Sequence, residues 1–141
     1  MSQDAARRQK IQVLMDYWIP RLGLADWDIT WNIVTTLDGA PLGGGSTACR
    51  VYHAGPYQKA HIAFVKQQVD NATTLYEREL MVIHELIHIV MHPIQAARQR
   101  MMGNDGEVSV SMHWGEEQTT DALAAILYRL RHNAKPTAVY I

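Results

Sequence analysis

The chain has 141 residues, 48% hydrophobic and 19% charged, with a formal net charge of −1. That length suits one domain over residues 1–141 with a core of its own. The charge balance excludes the basic surface of a nucleic-acid-binding protein, and no apolar run approaches the roughly 20 residues of a membrane span. A single cysteine, Cys49, rules out an internal disulfide, and the opening Met1-Ser2-Gln3-Asp4 lacks a signal-peptide pattern, so a cytoplasmic location is expected. The chain is rich in histidine, with seven, and their placement matters more than their number.

In chain order, Asp4 to about Leu22 reads as an amphipathic helix. Ile11, Leu14, Trp18 and Leu22 recur at helical spacing, Arg7, Arg8 and Lys10 face outward, and Pro20 distorts or ends the last turn. From Trp27 to Val34 the pattern switches to period two, with Trp27, Ile29, Trp31 and Ile33 alternating against Asp28, Thr30 and Asn32, as a half-buried strand requires. Residues 38–46 are loop-forming. Two further strands are expected over Ala48–His53 and Lys59–Val65, with Gly55-Pro56 between them and a polar break at Asp70–Thr73.

Thr74-Leu75-Tyr76-Glu77 has the spacing of a capping box and starts the second helix. Leu80, Ile83, Ile87, Val90 and Met91 continue it until Pro93 stops it. Residues 94–114 read as irregular, with Gly103-Asn104-Asp105-Gly106 the clearest loop. Glu116 to about His132 reads as the last helix, burying Leu123, Ile126, Leu127 and Leu130, with Trp114 fixing its entry. The tail ends in a β-prone run, Thr137–Ile141. The expected class is α+β, with an N-terminal helix, about three strands in a mainly antiparallel sheet, and two later helices.

The second helix carries His84-Glu85-Leu86-Ile87-His88. Four residues make slightly more than one turn, so both imidazoles leave the same helix face and can share one ion. Imidazole and carboxylate are the usual ligands of open catalytic zinc sites, and Glu85, rotated to the side, is placed to act as general base on a water. The bland alternative is a surface helix with two incidental histidines. A third ligand is required. His92 is a poor one, because ligands at 84 and 92 on a straight helix stand about 12 Å apart along its axis. Glu117 is preferred, since Asp121 four residues later lies on the same side and can accept a hydrogen bond from a ligating histidine, His84 above all. Glu116 is the fallback. The competing explanation for both glutamates is that they favour a helix N-terminus through its dipole.

On His84-Glu85-x-x-His88 with Glu117-x-x-x-Asp121, the chain resembles the gluzincin group of zinc metallopeptidases, in particular its small single-domain bacterial or phage-type members. The resemblance covers roughly Trp27 to Leu130, and about seven positions carry it tightly. It implies a zincin-like fold, Zn2+ held by His84, His88 and Glu117, Glu85 as general base and acid, Asp121 supporting a ligand, and a peptide or protein substrate. Larger members supply an oxyanion-stabilising tyrosine or histidine from a later subdomain; here His113, Tyr128 and His132 are available and no spacing selects among them. The strand Lys59–Val65 is read either as an edge along which an extended peptide pairs or as an interior strand. The tail from Thr137 to Ile141 is expected to pack near the metal or along the sheet. Two other functions stay open: a zinc hydrolase acting on cell-wall peptide, and a zinc-stabilised binding module without turnover. Trp18, Trp27 and Trp31 are read as core aromatics, Cys49 as a small buried hydrophobe, and His53 and His61 as structural.

Overall fold

The spacing of Ile11, Leu14, Met15 and Trp18 puts all four on one side of α1 (Gln3–Arg21), where they are buried. The structure, a computed structural model, describes residues 2–36, 48–54, 57–102 and 106–132; at 48–54, 57, 102 and 106–110 it describes the backbone alone. Ser2 caps α1, its hydroxyl accepting from the Ala5 amide at 3.2 Å. Pro20 lies in the last turn, and Gly23, at φ 73°, takes the left-handed conformation that turns the chain away. Arg7 does not simply face outward: it pairs with Asp4 at 2.7 Å and with Asp70 at 2.6 Å.

The sheet contains β1 (Asp28–Val34), β2 (Ala48–Ala54) and β3 (Tyr57–Val65) in the order β1-β3-β2. β2 and β3 pair antiparallel, from Ala48 opposite Ala63 to Ala54 opposite Tyr57. β1 pairs with β3 in parallel, from Asp28 opposite Lys59 to Val34 opposite Val65. The sheet is therefore mixed, where a mainly antiparallel one was expected. Lys59–Val65 is not an edge, because β3 is hydrogen-bonded on both sides. Its alternation explains the central place. Ala60, Ile62 and Phe64 point into the core, while His61 on the other face is held by the Thr30 hydroxyl at 2.8 Å and the Asn32 side-chain oxygen at 3.0 Å, both on β1. A short helix that the sequence reading missed, α2 (Lys66–Asn71), follows β3 and buries Val69.

α3 (Leu75–Met102) begins as the capping box dictates. The Glu77 amide donates to Thr74 Oγ1 at 3.2 Å, and Glu77 Oε2 accepts from the Thr73 amide at 2.9 Å. Val82, Ile83, Leu86, Ile87 and Ile89 are buried, whereas Val90, assigned to the buried face, is exposed. By length and composition Leu75–Met101 passes for a membrane span, but the apolar residues of 82–89 are spent inside the core.

Two boundaries differ from expectation. Pro93 does not stop α3, and residues 94–102 and 106–114 are helical, so that α4 runs over Gly106–His132. A proline costs a helix interior about 3 kcal/mol, but Gln95 to Met102 are mostly strong helix formers. The distal half of α3 is also tied to α4 through Arg98 and Glu116, 3.0 Å apart. Trp114 therefore lies within α4, largely exposed, and fixes no entry angle. The buried face of α4 is rotated from the expected one. Thr120 and Ala124 are buried and Leu127 and Tyr128 pack on the core, while Leu123, Ile126 and Leu130 are exposed. The loop at 38–46, Gly55-Pro56, Gly103–Asp105, the Cys49 and His53 side chains and the tail at Thr137–Ile141 lie outside the described residues.

Phe64 is fully buried and meets Trp31 edge-on at 6.0 Å between ring centres. Phe64→Ala removes that contact and leaves a cavity, so equilibrium urea unfolding should show a loss of about 3–5 kcal/mol.

Candidate metal centre

Because α3 and α4 pack together along their length, a face of one meets a face of the other, and the expected histidines and acids lie on those faces. His84 and His88, four residues apart on α3, aim their Nε2 atoms at the same point and stand 3.1 Å apart there. Glu117 arrives from α4, with Oε2 3.1 Å from His84 Nε2 and Oε1 3.0 Å from His88 Nε2. Among the described residues these three form the group whose ligand atoms lie within 4.8 Å of one another. Asp121, one turn further along α4, accepts from His84 Nδ1 at 2.8 Å.

The arrangement separates the two glutamates. Glu116 turns toward the distal half of α3, with Oε1 3.0 Å from Arg98 and Oε2 accepting from Gln95 Nε2 at 3.3 Å. Glu117 alone faces the histidines. Both sit well inside α4 rather than at its start, so the helix dipole does not account for their placement. His92 is outside the cluster. Of the three groups considered for an oxyanion, Tyr128 and His132 lie about 16 and 22 Å along the α4 axis from Glu117. Tyr128 packs on Tyr76 and His132, and His132 on Glu79. His113 is one turn before Glu117 on the same side of α4, close enough for its charge to act on His88. Glu85, rotated about 100° from His84 around α3, is buried.

The donor set fits a metal ion. A carboxylate only accepts, so His84 must place a proton on Nδ1 for Asp121, and in the neutral ring Nε2 is then a bare lone pair. That lone pair faces a second imidazole nitrogen and a carboxylate oxygen. With both rings neutral, at most one N–H is shared among three electron-rich groups whose nearest atoms are about 3 Å apart, an arrangement that a cation at their centre relieves. Two ligands at zinc distances lie about 3.3 Å apart in a tetrahedron, close to the separations found here. Burial pushes the His88 pKa below its ordinary value. The Glu117 charge opposes this, while His84 and His113 add to the lowering, and the net result favours the neutral, ligating form.

Comparison with protein-family models, with curated proteins and with solved structures gives no match to this chain.

Sequence reasoning missed the Gln95–Arg98–Glu116 contact. The signal was present in the helix-forming run Gln95–Met102, but reading Pro93 as a stop concealed it. Two outcomes follow. Asp121→Asn should lower metal affinity by about 10–100-fold in a chelator-competition titration, since it disturbs the tautomer of His84 without removing a ligand. In the metal-free protein, a lowered native His88 pKa means that the unfolded chain binds more protons. Stability should therefore fall as pH drops from about 6.5 toward the native value, and His88→Gln should flatten that segment of a urea-unfolding pH series.

Proposed function

We propose that the chain is a zinc-dependent hydrolase that cleaves peptide bonds, with His84, His88 and Glu117 as metal ligands. One observation carries the reading: two imidazole nitrogens and a carboxylate from two helices converge within 4.8 Å, with Asp121 behind one imidazole. A mixed nitrogen and oxygen set of three leaves a coordination position open, which is the pattern of catalytic zinc rather than of closed structural sites. Bound zinc supplies a Lewis acid that brings the pKa of water near 7 and draws electron density from a carbonyl.

The protein's own groups have distinct tasks. Asp121 holds the His84 ring by its Nδ1 proton and keeps Nε2 free for the metal. Glu117 supplies negative charge and ties α4 to the site. The Glu85 carboxylate accepts the proton of the attacking water as the new C–O bond forms, and returns it to the departing amine nitrogen as the C–N bond breaks. His113 is the imidazole best placed to donate to the carbonyl oxygen as it becomes negative. Peptides are favoured over other amides by the sheet. Among the described residues β2 is an edge strand, it lies against α3, and its outer backbone row offers an extended chain a place to pair.

Glu85→Gln should retain one equivalent of zinc by elemental analysis and lose at least about 100-fold in turnover on a denatured-protein or peptide-library substrate. A wild-type protein that binds zinc and cleaves nothing across the library would instead make the metal a structural cross-link of α3 to α4.

A further inference from the structure

Glu79 is a fully buried carboxylate on α3 that takes no part in the centre described above. It is held by both neighbouring helices of the core. Trp18 Nε1 of α1 donates to its Oε1 at 2.8 Å, Arg131 of α4 bonds the same oxygen, and His132 Nε2 lies 2.8 Å from Oε2. The partners are themselves fixed: the Arg131 guanidinium lies 3.7 Å over the Tyr17 ring, and His132 stacks on Tyr128 at 4.3 Å. At the other end of the helix pair, Glu116 is bound by Gln95 and Arg98. These polar contacts bracket the ligands. Along α3 the order is Glu79, His84, His88, Gln95, Arg98, and along α4 their partners follow in reverse, from Arg131 and His132 through Asp121 and Glu117 to Glu116.

Apolar ridges on two helices interdigitate in more than one register, and a shift of one turn displaces facing residues by about 5.4 Å. The contacts of α4 through Ala124 and Leu127 are of this tolerant kind. A buried carboxylate with directional donors is not, because a shifted register leaves it unpaired. We propose that Glu79 is a positioning residue that sets the register of α4 on α3, and with it the distance at which Glu117 and Asp121 meet the two histidines. Its effect on metal binding rests on the metal-centre reading above; its effect on register does not.

The test uses the full chain with two readouts. One is the NMR signal of the His84 Nδ1 proton hydrogen-bonded to Asp121 in metal-free protein; the other is Co2+ affinity by chelator competition. The informative variant combines Glu79→Met, Arg131→Met and His132→Leu, replacing both sides of the cluster with apolar groups so that no charge is left buried alone. It should stay folded, melting below wild type because the Trp18 indole N–H loses its acceptor, yet lose or broaden the His84 ring proton and bind Co2+ about tenfold or more weakly. A folded variant with wild-type ring proton and Co2+ affinity would reduce Glu79 to a stabilising contact and overturn the proposal. If the triple variant does not fold, Glu79→Gln decides the same question at a temperature well below its own melting point. An altered ring proton supports the proposal and an unaltered one overturns it. Wild-type protein that fails to bind Co2+ would remove the metal reading while leaving the ring proton to decide the register.

Discussion

The hydrogen bond from His84 Nδ1 to Asp121 governs the chemistry of the centre, because it decides where the histidine keeps its proton. In the neutral ring the opposite nitrogen then presents a lone pair to His88 and Glu117, a donor set that a cation fits. A bond of this kind is indifferent to the rest of the fold only if the two helices are held in place by something else. They are: the buried contact around Thr120 and Ala124 brings α4 against α3, and polar contacts on either side of the site keep it from sliding.

The sheet and α1 contribute at one remove. Ile11, Leu14, Met15 and Trp18 from α1 and Ile62 and Phe64 from β3 fill the core beneath the face of α3 that carries Val82, Leu86 and Ile89. This leaves the opposite face, with the histidines, turned toward α4. The amphipathicity of α3 is therefore what orients the two histidines. Its apolar side is anchored, so its imidazoles have one direction in which to point.

Much of this was legible in the sequence, and the reasons are specific. The capping box at Thr74–Glu77 fixed the start of α3, and the spacing of four within His84–His88 and within Glu117–Asp121 predicted which side chains would meet. What could not be read was whatever depends on partners distant in the chain. Pro93 is a stop signal locally, but pairing with α4 carries the helix through it. Leu123, Ile126 and Leu130 look like a buried stripe, yet the neighbouring face is the one covered, because α4 must turn Glu117 and Arg131 inward to reach His84, His88 and Glu79. The parallel pairing of β1 with β3 is likewise invisible in the alternation of either strand, since period two records which face is buried and not which neighbour or direction is chosen.

Pro93 has a mechanical consequence. Its ring nitrogen carries no hydrogen, so the Ile89 carbonyl, one residue past His88, is denied its helical donor. The backbone hydrogen-bond ladder of α3 is thus interrupted just beyond His88. Beyond that gap the outer arm is held through its side chains, by the contact of Arg98 with Glu116 of α4, while the inner arm is seated on the core.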